Sequence, residues 1–187
     1  MSGRRAVAIE RRLTVDDLHR VKLPEWWELV DGEVVALSPS GNRASRIGGR
    51  VYGKLLVDGE HAGHGIAYPA DAGFVLFPDR RTVRGPDAAF IVKERAIALA
   101  DPAFVPFAPD FVVEVLSPSD RIGEAVAKMG MYLEAGVRLG WLVHPERQTV
   151  TVFTADAPPV TLVVGAILNG GDVLPWLSVP VADLFAQ

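Results

Sequence analysis

The sequence contains no cysteine among its 187 residues. Disulfides, thiolate catalysis and cysteine-ligated zinc are therefore excluded. It also lacks any apolar run near the ~20 residues needed to span a bilayer. The segment Met1–Arg12 carries Arg4, Arg5, Arg11 and Arg12 but no apolar stretch, so it reads as a flexible basic arm rather than a secretory signal. An excess of positive charge is missing too: the net charge is −4. Any affinity for nucleic acid must then come from local clusters. No repeat, low-complexity tract or long linker divides the chain, and its length suits one domain spanning residues 1–187. What is present is a 49% hydrophobic, 22% charged composition, enough apolar material for a real core. These features fit a cytoplasmic protein with no membrane partner.

Local patterns give the elements. Thr14 can cap a helix beginning at Val15, with Asp16 and Asp17 at its positive end and Pro24 as its stop. Asp31-Gly32 between Trp26–Val30 and Glu33–Leu37 predicts a two-residue β-hairpin. Ile47, Val51 and Leu55 recur every four residues and predict a helix from Asn42 to about Asp58. Short strands are expected at Gly65–Tyr68 and Ala72–Phe77, then at Ala88–Val92, with a helical turn at Arg95–Ala100. Ile122, Val126, Met129 and Leu133 form an apolar stripe on a helix over Arg121–Ala135, which Gly136 ends. A strand at Val137–Val143 follows, so the region reads as a βαβ unit with parallel strands. Thr149–Thr154 and Val160–Val164 are expected to pair antiparallel around a loop at Ala155–Pro159, and the tail from Leu174 ends in a short apolar patch.

The stretch Asp110–Asp120 is the centre of this pattern. Phe111, Val112, Val113, Val115 and Leu116 show no polar alternation, which is how a strand covered on both faces reads. Glu114 interrupts them. A carboxylate in such company is exposed by the pleat, paired, or holding a cation, since an unpaired buried charge is very costly.

Charge clusters offer bland and sharp readings side by side. Arg43, Arg46, Arg50 and Lys54 line one face of the first long helix. Such a stripe is ordinarily a solvated face, and it can equally contact phosphates. Arg80, Arg81 and Arg84 follow in a turn and strand; His61 and His64 read as surface histidines. Asp87 after Pro86 is either a turn residue or a carboxylate at the head of a strand. Lys128, four residues after Glu124, is either a helix-surface ion pair or a functional amine. If the strands bearing Asp87 and Glu114 are neighbours, the two carboxylates and the Val115 carbonyl make an oxygen-rich site suited to Mg²⁺ or Mn²⁺. With Lys128 beside it, that site has the parts that phosphodiester hydrolysis requires.

The chain resembles the bacterial restriction-endonuclease-like proteins of the PD-(D/E)XK nuclease fold. The resemblance is carried by Trp27-Glu28-Leu29-Val30-Asp31-Gly32-Glu33, Pro86-Asp87, Glu114-Val115-Leu116-Ser117-Pro118-Ser119, Lys128–Tyr132, Ala135-Gly136-Val137 and Trp141-Leu142-Val143-His144-Pro145. It implies an α/β fold: a mixed central β-sheet flanked by helices, with an N-terminal hairpin and C-terminal antiparallel strands. It implies Asp87 and Glu114 as carboxylates for Mg²⁺ (or Mn²⁺), with Glu28 as a further acid. The fold's usual Glu-x-Lys reads Glu114-Val115-Leu116 here, and Lys128 stands where related sequences carry the lysine on the following helix. Relatives often have a histidine where this chain has Ala44-Ser45. The function implied is Mg²⁺-dependent hydrolysis of DNA, with Arg43, Arg46, Arg50, Lys54 and Arg84 on the phosphates and a homodimer suited to double-strand cutting. The alternatives are a non-cutting binding or dimerisation module and hydrolysis of a different phosphodiester.

Overall fold

A computed structural model describes residues 12–96 and 104–186. The basic arm, apart from Arg12, and residues 97–100 of the turn expected at Arg95–Ala100 lie outside the described residues. A 3₁₀ turn at Val15–Arg20 opens the chain, with Asp17 Oδ2 accepting from the N–H and hydroxyl of Thr14 at 3.1 and 3.0 Å. It ends at Val21, before Pro24. Strands β1 (Trp27–Val30) and β2 (Glu33–Ala36) form the expected hairpin. Both turn residues have positive φ, Asp31 at 49° and Gly32 at 81°, as a turn matching the strand twist requires.

Helix α1 (Asn42–Lys54) continues into a π-helical turn at Leu55–Glu60, and Ile47, Val51 and Leu55 are buried as their spacing predicts. Strands β3 (Gly65–Pro69), β4 (Phe74–Val75), β5 (Val83–Arg84) and β6 (Ala88–Val92) follow, then the short helix α2 (Lys93–Ala96). Strand β7 (Phe111–Val115), helix α3 (Ile122–Glu134) and strand β8 (Leu139–His144) make the βαβ unit, and β7 and β8 are parallel. Strands β9 (Thr149–Thr154), β10 (Ala157–Val163), β11 (Ile167–Gly170) and β12 (Leu174–Pro180) and helix α4 (Val181–Phe185) complete the chain.

The main sheet has the order β10-β9-β8-β7-β6-β3, with every pairing but β7–β8 antiparallel. A second sheet, β2-β1-β5-β4, was not expected from the sequence. Strands β4 and β5 are only two residues each, too short for a periodic signal. Pro158-Pro159 lie in β10 rather than in a loop, tolerated because β10 is an edge strand with a register shift between Ala157 and Val160. The tail holds the β11–β12 hairpin as well as α4.

Both faces of the main sheet are covered. Phe111, Val113 and Val115 of β7 pack in one core with α1, the β11–β12 hairpin and α4. Val112 and Leu116 pack in the other with Met129 and Tyr132 of α3. The pleat therefore turns Glu114 toward α3. Helix α3 is rotated from the expected stripe: Ile122 and Val126 are each 43% exposed, while Met129 and Tyr132 are fully buried. The face from Ala125 through Lys128 and Met129 to Tyr132 meets the sheet instead, because Lys128 and Tyr132 find their partner in Glu114.

Candidate active site

Glu28, Arg84, Asp87, Glu114, Lys128 and Tyr132 converge where the small sheet meets the C-terminal end of β7. Glu28 is buried on β1, and pairing of Leu29 with Val83 makes Arg84 its cross-strand neighbour. Glu28 Oε2 accepts from Arg84 Nη1 at 2.5 Å, and its Oε1 accepts from the Gly85 N–H and from Lys128 Nζ, both at 3.0 Å. Both oxygens are thus committed. Burial alone would raise the Glu28 carboxyl, but the charges of Lys128 and Arg84 and the bonds from Arg84 and Gly85 hold it below its ordinary value.

Glu114 Oε1 takes two donors, Lys128 Nζ at 2.8 Å and the Tyr132 hydroxyl at 2.8 Å. Burial raises the Glu114 carboxyl, and Lys128 only partly offsets this. Burial works to lower Lys128, yet Glu114 and Glu28 outweigh it and raise the ammonium above its ordinary value. Tyr132 lies well above its ordinary value, first through burial and then through the Glu114 charge, so its hydroxyl keeps its proton and donates it.

Asp87 is placed by backbone. Its N–H donates to the Val113 carbonyl at 2.9 Å, and its Oδ2 accepts the Val115 N–H at 2.7 Å. Gly48 of α1 backs it: a Cβ at that position would lie 3.2 Å from Asp87 Cβ, so glycine lets the helix approach. The Asp87 carboxyl is pushed up to about 7 by burial and by the Glu114 charge, against the Val115 N–H and Lys128.

Charge counting explains that shift. Among the described residues three carboxylates, Glu28, Asp87 and Glu114, share two cations, Arg84 and Lys128, and neither cation pairs directly with Asp87. Among the described residues no three His, Asp or Glu side chains form a metal-binding cluster. Both Glu28 oxygens already accept protein donors, so the carboxylates with an oxygen left open are Asp87 and Glu114: each has one oxygen tied to a protein donor and one that accepts no protein hydrogen bond among the described residues. Two hard oxygen donors in a site short of positive charge suit a small divalent cation that keeps several waters. The residues present therefore fit Mg²⁺ or Mn²⁺.

The sequence matches the Uma2 family, described as "Putative restriction endonuclease", over residues 15–182. The chain belongs to the Uma2 family. The fold is similar to the crystal structure of a putative nuclease belonging to DUF820 from Anabaena variabilis, with a TM-score of 0.81 at 20% identity, covering 92% of this chain and 97% of that one. No curated protein sequence matches the chain.

Elsewhere on this Uma2 chain the basic residues separate into two groups. Arg43 and Arg46 are exposed on α1 and make no ion pair or hydrogen bond among the described residues. Arg50 Nη1 donates to the Leu184 carbonyl at 3.0 Å and so ties α1 to α4, and Lys54 pairs with Asp58 at 2.5 Å. Arg84, expected on phosphates, is mostly buried against Glu28 and belongs to the site interior. Arg80 pairs with Asp16 at 3.0 Å. Val115 serves through its N–H on Asp87. Sequence reasoning missed Tyr132 as a site residue, although its place four residues after Lys128 puts both on one helix face. It missed the Glu28–Arg84 pair because β5 carries no readable pattern.

Proposed function

We propose that this chain is a divalent-metal-dependent endonuclease of the PD-(D/E)XK type, hydrolysing DNA phosphodiester bonds with Mg²⁺ or Mn²⁺. The observation that carries this reading is Asp87, which pairs with no cation among the described residues and lies beside the Glu114–Lys128 pair. The free oxygens of Asp87 and Glu114 would hold the ion, which when bound polarises the phosphoryl oxygen and lowers the pKa of a water. Tyr132 and the Val115 N–H fix the other oxygen of each carboxylate, so neither turns when substrate enters. Lys128, steadied by Glu28, stays charged and stabilises negative charge developing on the phosphate. Arg43 and Arg46 supply phosphate contacts at the exposed face of α1. The family's description as restriction endonucleases supports DNA as the substrate. A cytoplasmic location fits the absence of cysteine, and no helix among the described residues is long and apolar enough to cross a membrane.

The test is nicking of supercoiled plasmid with Mg²⁺ or Mn²⁺ against Glu114→Ala. Loss of nicking in the variant supports the proposal; equal activity removes it. One observation favours a non-cutting module: Lys128 already neutralises part of the site through two ion pairs. Calorimetric titration with Mn²⁺ separates the readings, since only the nuclease requires the ion.

A further inference from the structure

We infer that strand β10 is the surface through which two copies of this chain pair, edge to edge, about a two-fold axis. The inference stands apart from the nuclease reading and uses none of its residues.

The main sheet has two edges, and they are finished differently. At the β3 edge the Glu60 carboxylate accepts the Ala67 N–H at 2.8 Å, and the π-helical turn packs along the strand. At the β10 edge no strand lies beyond among the described residues. Every residue of β10 except Leu162 is exposed. Val160 and Val163 are each 57% exposed and, being three residues apart, point to opposite faces. Val164 and Ile167 extend the apolar surface at 49% and 54% exposure. Leu162 packs into the core and holds the strand in place.

Edge strands are normally protected from pairing by charge, especially lysine. From Ala157 to Gly171 there is no charged residue. Pro158 and Pro159 lack N–H groups and sit beside the register shift, so they protect only the beginning of the strand. The segment Val160–Val163 is left open.

A second copy is the occupant this segment fits. Antiparallel pairing about a two-fold is self-complementary: the residues that donate on one strand accept on the other, with no second sequence required. The uncharged stretch brings no like charges into opposition across the axis, where they would destabilise the pair. A foreign strand recognised by its side chains would need pockets for alternate residues. β10 presents valines and a threonine instead. A specific interface buries about 1,000 Å² or more in total, and the exposed Val164 and Ile167 adjoin the strand to add apolar area to it.

The experiment takes the full chain at micromolar concentrations in sedimentation equilibrium. A dimer is expected. Val160→Lys with Val163→Lys alters only exposed positions, so far-UV circular dichroism should be unchanged while the dissociation constant rises about tenfold or more. Because the chain has no cysteine, Thr161→Cys gives a single thiol beside the axis. Mild oxidation should link that variant into a covalent dimer, as disulfide geometry requires Cα atoms within roughly 7 Å; Glu94→Cys, exposed on α2, should not link. A wild-type monomer overturns the inference. So does a dimer that survives both lysines and shows no covalent link in the Thr161→Cys variant, which would move the contact elsewhere, for instance to Ile122 and Val126 on α3.

Discussion

The Tyr132 hydroxyl donates to Glu114 Oε1 at 2.8 Å, the same oxygen that receives Lys128 Nζ. One helix thus supplies both donors to one oxygen of a strand carboxylate, and the other oxygen accepts no protein hydrogen bond among the described residues. Tyr132→Phe keeps the buried ring and deletes the donor. It is expected to cost about 1.5–3 kcal/mol, the usual worth of a hydrogen bond to a charged group. Plasmid nicking should slow and Mn²⁺ affinity should fall. Urea denaturation reads the first effect, and a nicking assay with calorimetry reads the others. A variant as stable and as Mn²⁺-competent as wild type would remove Tyr132 from the site.

Lys128→Met leaves Glu28 and Glu114 facing each other without the amine. Breaking a buried pair by removing one partner costs about 3–5 kcal/mol. The loss should be smaller at acid pH, where Glu114, already raised, takes up a proton. Lys128→Arg should not restore nicking, since a planar fork cannot replace a point charge between two carboxylates. Denaturation at two pH values and a nicking assay check both statements.

Asp87 gives stability a pH dependence whose sign is fixed. Its folded pKa of about 7 lies above its ordinary 3.8. Below 3.8 both states hold the proton and its contribution is complete. As pH rises toward 7 the unfolded chain releases the proton first, so stability is lost across that window and is flat above it. The ceiling is about 4 kcal/mol at 1.36 kcal/mol per unit. Without divalent ions, Asp87→Asn should flatten the difference between about pH 5 and pH 8. Mn²⁺ at the higher pH should stabilise wild type and not the variant.

Gly48→Ala sets two effects against each other. Helix propensity gains about 1 kcal/mol. The new Cβ, 3.2 Å from Asp87 Cβ, forces a small displacement of Asp87 or α1. Stability is expected to change by less than about 1 kcal/mol while Mn²⁺ affinity falls. Unchanged affinity on calorimetry would show that α1 yields instead of Asp87.

Arg43→Ala with Arg46→Ala should weaken DNA binding and reduce the salt slope by about 2, one per lost phosphate contact. Arg50→Ala should act differently, lowering thermal stability by releasing α4 from α1. Binding isotherms at several salt concentrations, beside thermal melts, distinguish the two roles.

Much of the frame follows from neighbouring residues. Asp31-Gly32 sets a turn, Ile47-Val51-Leu55 sets a buried helix face, and Phe111–Val115 sets a strand covered on both sides; each is a local periodicity or a local backbone preference. Asp87, Glu114 and Lys128 could be singled out because a charge stands out against an apolar or turn context, and the motif Glu114–Ser119 names the family. What the chain order could not carry was decided by packing. The rotation of α3 that exposes Ile122 and Val126 follows from Lys128 and Tyr132 seeking Glu114. The enclosure of Arg84 and its hold on Glu28 follow from a two-residue strand pairing with β1. Pro158-Pro159 became an edge strand because only the sheet determines which strand is last. Periodicity acts over a few residues, so sequence alone sets the elements. Which carboxylate keeps a cation, and which is left without one, depends on groups brought together across the fold, and only the tertiary structure sets those distances.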